Sequence, residues 1–326
     1  MSFPALLVSA RGQPAAPTTL ETEQLPAQEV LVRVRYSSLN YKDALAVTGA
    51  APVVRSFPMV PGIDLAGTIV ESRVPDLRVG DEIISTGAGL GETMWGGYAG
   101  YARLPARLGL RPPAGLALWN AMAFGTAGLT AMLCVQALER QGLPDAAPVV
   151  VSGASGGVGS IAILLLARAG HRVTAISGKD SQHNYLRHLG ASEILPRASL
   201  TQSPEKTLTT ERWAAGIDTV GGELLAGMLR GIATGGTVAA CGMAAGGALT
   251  TSVYPFILRG VALQGIACSL SSSPQKTAAW SRLASSVPHD VLAGLTQTIT
   301  LAQVPDFAAR MLASQLSGRV VVDLAP

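Results

Sequence analysis

Cysteine is scarce in this chain. Three occur in 326 residues, Cys134, Cys241 and Cys268, too few and too widely spaced for a disulfide framework or a four-cysteine zinc knot. Reduced thiols in a cytoplasmic setting are the expectation. Histidine is almost as sparse, with His171, His183, His188 and His289, and neither residue type occurs before position 134. A catalytic zinc held by Cys and His ligands from the N-terminal part is therefore disfavoured, and alcohol oxidation through a metal alkoxide with it. Charged residues make up only 14% of the chain, and the net charge of +3 is scattered without a basic stripe, which argues against a nucleic-acid partner. Long apolar runs are also missing: none reaches the roughly 20 residues of a membrane span. The run from Ala121 to Val135 contains Gly and Thr and reads as a buried helix. Met1-Ser2-Phe3-Pro4 lacks the basic start and apolar block of a signal peptide, so neither secretion nor a membrane partner is expected.

What remains is an apolar fraction of 48% punctuated by 37 Gly and 20 Pro, enough to bury large cores between many turns. The length exceeds the roughly 250 to 300 residues of a usual single core, which predicts two domains. From Pro4 to about Pro113, short β-rich runs (Val30 to Tyr36, Asp64 to Val70, Glu82 to Ser85) bounded by Gly or Pro predict a compact barrel-like domain. Beyond Ala121, the runs Val149 to Ser152, Val173 to Ser177, Ile217 to Val220, Val238 to Cys241 and Leu263 to Ile266 alternate with helical stretches, the pattern of βαβ units and a parallel sheet covered on both faces. From Pro274 the chain reads as helix, loop, second helix (Pro305 to Gln315) and strand (Arg319 to Leu324). That strand lies beyond a complete six-strand pattern and is expected to return to the first domain. The predicted boundaries are 1–123 for a β-rich substrate domain, 124–267 for a doubly wound nucleotide-binding domain, and 268–326 for a segment returning to the substrate domain.

The strongest local motif is Val149-Val150-Val151-Ser152-Gly153-Ala154-Ser155-Gly156-Gly157-Val158-Gly159, followed by an apolar helix from Ser160 to Arg168. A buried strand, a glycine turn and a helix occur in that order. Glycines let the backbone approach a pyrophosphate, and the free N–H groups at the helix start favour its charge. With strand and helix flanking it, the motif reads as a Rossmann dinucleotide site rather than a bare turn. An acidic residue that would bind an NAD ribose is missing about 20 residues onward, where Ser177-Gly178-Lys179 stands. A hydroxyl, an amide and an ammonium suit the 2′-phosphate of NADP, with Tyr185 and Arg197 as plausible neighbours. Asp180 competes, since a one-turn displacement restores an acid contact.

Ser38-Leu39-Asn40-Tyr41-Lys42-Asp43, Pro61-Gly62-Ile63-Asp64-Leu65-Ala66-Gly67, Trp95-Gly96-Gly97, Gly125-Thr126-Ala127-Gly128-Leu129-Thr130-Ala131-Met132, Pro255-Phe256-Ile257-Leu258-Arg259 and Gly318-Arg319, together with the glycine turn, resemble the acrylyl-CoA reductases, long labelled putative quinone oxidoreductases, over essentially the whole chain. They form a zinc-independent group of the medium-chain dehydrogenase/reductase superfamily. The resemblance implies an α/β architecture, a Rossmann doubly wound parallel sheet plus a GroES-like substrate domain. The implied reaction is NADPH-dependent reduction of the double bond of an α,β-unsaturated acyl-CoA, acryloyl-CoA giving propanoyl-CoA. It also implies NADP(H) contacts at Tyr41 by the nicotinamide, Ser155, Gly156, Gly157 and Val158 at the pyrophosphate, Ser177, Gly178 and Lys179 at the 2′-phosphate, and Arg197, Met243, Ile257, Cys268 and Ser314 beyond. Cys268 and Ser314 differ from the side chains expected in close relatives, and Met94 stands where a basic or polar residue is common.

Hydride addition to an enoyl thioester builds an enolate, so catalysis rests on alignment and on donors aimed at the thioester oxygen. Asn40 is the candidate donor or positioning residue and Tyr41 the candidate nicotinamide wall and proton donor; the alternative is that Asn40 caps the following helix and Tyr41 merely packs. Asp64 either orients a catalytic group or binds backbone amides in its own turn. Arg55 and Arg103 are candidates for CoA phosphates or ordinary solvated charges, and Gly80-Asp81-Glu82 reads as a structural turn. Two further functions compete: a quinone or enone oxidoreductase using the same site, and a non-catalytic NADPH-binding protein. A homodimer is expected through a sheet-edge strand such as Leu263 to Ile266.

Overall fold

The structure, a computed structural model, describes residues 1–202 and 205–325. The chain divides into two compact units, residues 1–126 with 269–326 and residues 127–268. In chain order the strands are β1 (Ser2–Leu7), β2 (Ala16–Glu21), β3 (Val30–Ser38), β4 (Asp64–Ser72), β5 (Glu82–Thr86), β6 (Tyr101–Leu104), β7 (Pro148–Val151), β8 (Arg172–Ile176), β9 (Ala191–Leu195), β10 (Trp213–Asp218), β11 (Ile232–Ala240), β12 (Ala262–Gly265), β13 (Thr296–Thr300) and β14 (Arg319–Asp323).

In the first unit a sheet runs β13-β14-β3-β4-β5, with β6 also paired to β3 and β1-β2 forming a separate antiparallel pair. Along β3 the alternation of Val32 and Val34 with Arg33 and Arg35 turns valines inward and leaves Arg33 exposed, as a pleated strand with one covered face requires. Its buried side chains join Phe3, Leu6, Leu39, Ile69, Ile83 and Phe307 in one core. The terminal strand does return here: β14 pairs antiparallel with β3, Val321 opposite Ser38. The stretch read as a loop before it holds a short helix, His289–Gly294, and β13, parallel to β14. Thr296-Gln297-Thr298-Ile299-Thr300 is β-branched at alternate positions, but only Ile299 is apolar enough to signal a buried face.

The second unit is an all-parallel sheet in the order β12-β11-β10-β7-β8-β9. Val149, Val150 and Val151 at its centre are fully buried. Three departures from the sequence reading share one cause. β9, β10 from Trp213 and β11 from Ile232 contain Ala, Gly, Ser or Thr where apolar runs were sought, and the ladder, not side-chain hydrophobicity, extends them. The run around Ala121 to Val135 belongs to a longer helix, Leu118–Arg140, long and apolar enough to cross a membrane. Its most apolar stretch is 89% buried within the protein, which makes it a core helix.

Candidate functional site

Helix Tyr41–Thr48 follows β3 directly, and Asn40 is its N-cap in extended geometry (φ −114°, ψ 164°). Asn40 thus occupies the cap position, and Asp43 at the third helical residue answers it as in a capping box. Asp43, three residues on, accepts the backbone N–H of Asn40 at 2.9 Å, while the Asn40 side chain makes no capping bond. Its amide instead donates to Ser38 Oγ (3.1 Å), Asp43 Oδ2 (3.1 Å) and Asp64 Oδ2 (2.8 Å), and its Oδ1 is buried without a hydrogen-bond partner among the described residues. Tyr41, the first residue of the helix, is 49% exposed.

Asp64, the first residue of β4, is fully buried and takes donors from three directions: Ser38 Oγ at 2.5 Å, Asn40, and the backbone N–H (2.8 Å) and hydroxyl of Thr126. It does not bind the amides of its own turn, as the second reading had it. Asp43 does so, accepting Ile63 N–H at 2.8 Å. The Thr126 amide is available because the helix breaks at Gly125 (φ 52°, ψ −157°). A Cβ at Gly125 would fall 2.6 Å from Asp64 Oδ2, 2.7 Å from Ser38 Oγ and 2.9 Å from Arg319 Nη2, so only glycine fits. Arg319, 2% exposed, donates from Nε to the Ala123 carbonyl at 2.8 Å, and Tyr98 donates its hydroxyl to the Ser38 carbonyl at 3.0 Å.

Two carboxylates, Asp43 and Asp64, are therefore buried together at Asn40. Burial first, and then the neighbouring charge of Asp64, push the Asp43 carboxyl up to about 7, against the opposing hydrogen bonds from Ile63 and Asn40. Burial and the same two carboxylates hold the Tyr98 hydroxyl well above its ordinary value. Asp43, Asp64, Tyr98 and Arg319 were not singled out by sequence as a group. An acid opening an otherwise apolar strand, as in Asp64-Leu65-Ala66-Gly67-Thr68-Ile69-Val70, was the available signal.

In the second unit the expected cofactor residues gather at one end of the sheet. The glycine turn follows β7, Ser177 to Lys179 follow β8, Arg197 follows β9, Met243 follows β11 and Cys268 follows β12. These are all carboxyl ends of parallel strands, where open α/β sheets bind ligands. Gly153 (φ 57°) cannot carry a side chain, because a Cβ would lie 2.1 Å from Thr219 Oγ1. Gly156 is exposed as N-cap of helix Gly157–Arg168, with Ser155, Gly157 and Val158 half-buried beside it. Ser152 and Asp218 brace the turn from behind, the Ser152 hydroxyl donating to Asp218 Oδ1 at 2.6 Å. Ser177 is buried and its Oγ accepts the Lys179 N–H at 3.2 Å. Arg197 crosses Gly178 so closely that a Cβ there would meet its Nε at 3.2 Å. Partial burial and then the Arg197 charge lower the Lys179 ammonium, placing two cations at one corner. Asp180 points to solvent, its carboxylate 3.6 Å from His183. Met243 and Ile257, the latter on helix Tyr254–Arg259, are 74% and 73% exposed, and Cys241 donates to the Asp218 carbonyl. Ser314 belongs to the first unit, exposed and in left-handed backbone (φ 59°).

Neither CoA candidate gains support as a pair. Arg103 is held by Glu71 at 2.7 Å, while Arg55 is exposed. Asp81 accepts the Arg78 N–H and an Arg111 bond, a structural turn. The residues present do not fit a catalytic zinc: the first 133 residues hold no Cys or His, and among the described residues no three His, Cys, Asp or Glu side chains converge as metal ligands.

Residues 26–113 match the alcohol dehydrogenase GroES-like domain and residues 157–285 the zinc-binding dehydrogenase family. The chain is 46% identical to the probable acrylyl-CoA reductase AcuI of Escherichia coli, over 94% of this chain and 95% of that one. It is 43% identical to the acrylyl-CoA reductase AcuI of Ruegeria pomeroyi (95% and 94%) and 41% identical to the putative quinone oxidoreductase YhfP of Bacillus subtilis (94% and 93%). Among solved structures it is similar to the yhdH oxidoreductase of Salmonella enterica in complex with NADP, with a TM-score of 0.96 and 46% identity over 99% and 100% of the two chains. The Bacillus subtilis protein yhfP with NAD bound gives a TM-score of 0.95 and 39% identity over 99% and 100%.

Proposed function

The chain belongs to the acrylyl-CoA reductase group of the medium-chain dehydrogenase/reductase superfamily, and we propose that it reduces the carbon–carbon double bond of an α,β-unsaturated acyl-CoA with NADPH, acryloyl-CoA giving propanoyl-CoA. The observation that carries this reading is the near full-length identity to two relatives named for that activity. When bound, NADPH supplies the hydride. Ser155, Gly156, Gly157 and Val158 hold its pyrophosphate at the start of helix Gly157–Arg168, where amides and helix dipole favour negative charge. Ser177, Gly178, Lys179 and Arg197 hold the 2′-phosphate, because two cations beside a buried hydroxyl suit a dianion. Met243, Ile257, Cys268, Tyr41 and Ser314 complete the proposed cofactor set. Asn40 acts as a positioning residue: its amide N–H groups are committed to Ser38, Asp43 and Asp64, which fixes the start of the helix that carries Tyr41. Tyr41, half-exposed beside it, delivers the proton to the substrate's α-carbon.

A second reading is favoured by the name of the Bacillus relative: a quinone or enone is the acceptor. A non-catalytic NADPH-binding role is the third. The initial rate of loss of nicotinamide absorbance with acryloyl-CoA, comparing NADPH and NADH and including a quinone control, separates them. Fast NADPH-selective turnover of the thioester is expected; turnover with the quinone alone establishes the second reading, and tight binding without turnover the third. We further propose a cytoplasmic homodimer joined along β12, an edge strand whose Leu263 is 37% exposed, to be checked by sedimentation equilibrium.

A further inference from the structure

A cavity of about 250 Å³ lies within the first unit, lined by Ser85, Thr86, Arg107, Ser269, Ser273 and Lys276 among others. That is far above the roughly 15 Å³ that a single water needs. Its lining carries two cations, several hydroxyls and no carboxylate among the described residues. Lys276 is the informative member. It sits in helix Ser273–Ser286, is 9% exposed, and its ammonium makes no ion pair or hydrogen bond among the described residues. Its stem is covered by the fold while its ammonium is left without a protein partner among the described residues, the arrangement of a lysine that reaches along apolar surface toward open space. Ser273 is the first residue of the same helix, so the positive end of a 14-residue dipole meets the cavity from the same side.

The cavity adjoins the buried carboxylate network. Thr86, in its wall, is the cross-strand partner of Asp64. A Cβ at Gly87 would stand 3.7 Å from Ser269 Cβ and 4.0 Å from Thr126 Oγ1, so the wall of the cavity and the network flank the same residue. Two cations, hydroxyls and a helix start are complementary to a tetrahedral dianion with several acceptor oxygens.

We propose that this cavity is an anion site that takes a phosphoester group of the acyl-CoA substrate, with Lys276 and Arg107 as its binding cations. The assignment to CoA rests on the acyl-CoA reading; the anion site itself rests on the cavity. The test is titration calorimetry of the full chain with free coenzyme A, with pantetheine, which lacks the phosphates, and with inorganic phosphate. Coenzyme A is expected to bind at least about 10-fold more weakly to Lys276→Gln and to Arg107→Gln, the loss of one charge-assisted bond, with pantetheine affinity alike in all three proteins and phosphate competing with coenzyme A. Arg107→Gln lies at an exposed position and keeps the test decisive if Lys276→Gln does not fold, which circular dichroism reports. Unchanged coenzyme A affinity in a folded variant overturns the CoA assignment. If phosphate binding is lost in that variant while coenzyme A is unaffected, the site serves free phosphate instead; if both are unaffected, there is no anion site here. If coenzyme A binding depends on these residues yet acryloyl-CoA is not reduced by the unaltered protein, the proposed reaction fails and the site stands.

Discussion

Asp43→Asn tests the buried carboxylate pair most directly, because it removes a titration and leaves the shape. In the folded protein the Asp43 carboxyl is raised to about 7. In an unfolded chain an aspartate titrates near about 3.9. Between those values the folded state holds a proton that the unfolded state has released, so stability is fully present below about pH 4, declines as the pH rises, and levels off above about 7. An interval of about 3 pH units corresponds to roughly 4 kcal/mol of stability lost across the window. Asn keeps an acceptor for the Ile63 N–H but turns its own NH₂ toward the Asn40 donors, a pH-independent cost of about 1 to 3 kcal/mol. The informative quantity is therefore the slope. Urea unfolding followed by circular dichroism at pH 5 and pH 8 should show the wild type losing more stability than Asp43→Asn, by an amount on the order of 3 kcal/mol. Parallel pH profiles for the two proteins would mean that Asp43 titrates as an ordinary carboxylate and that the pocket is wet.

Three further outcomes are expected. Gly125→Ala drives a methyl to 2.6 Å from Asp64 in left-handed backbone and should cost about 2 to 4 kcal/mol by thermal unfolding, with no loss showing that the helix break relaxes. Asp64→Asn leaves the Ser38, Asn40 and Thr126 donors competing for one oxygen; a fall in kcat larger than the rise in KM is expected, with a melting temperature lowered by the equivalent of about 2 to 4 kcal/mol, and unchanged kinetics would detach the network from the reaction. Lys179→Ala should raise KM for NADPH about 10-fold and leave NADH almost unaffected; equal losses with both cofactors would remove Lys179 from the 2′-phosphate.

The parallel sheet was legible because its central strand β7 is a continuous apolar run and the glycine turn after it sits between a strand and a helix, two independent signals at one place. Among the strands that the sequence pattern does not mark, β9 and β13 lie at sheet edges, where one side of the ladder meets solvent and polar residues such as Ser192, Glu193 and Gln297 are tolerated. Helix Leu118–Arg140 shows the converse. Its ends extend past the apolar run because backbone bonding carries the helix into residues that hydrophobicity does not mark, while its one real interruption, at Gly125, is invisible to periodicity.

The candidate site was half legible for a reason that follows from where its parts originate. The glycine turn is a local motif and was read whole, whereas the carboxylate pocket draws Ser38, Asn40 and Asp43 from one segment, Asp64 from a second, Tyr98 from a third, Thr126 from a fourth and Arg319 from the last strand. No spacing rule joins them, because β14 brings Arg319 back to β3 only after the second unit has been completed. Each polar residue taken alone had an ordinary explanation: a cap for Asn40 and a turn for Asp64. What distinguishes them is joint burial. Six buried polar side chains packed together, with the half-buried Thr126 beside them, cost free energy unless their donors and acceptors match, and here Asp64 alone matches four donors. An arrangement so constrained fixes the backbone at Asn40 and Tyr41 to one geometry, and on the role proposed for that pair this rigidity supplies the alignment on which a hydride transfer depends more than on any single acid or base.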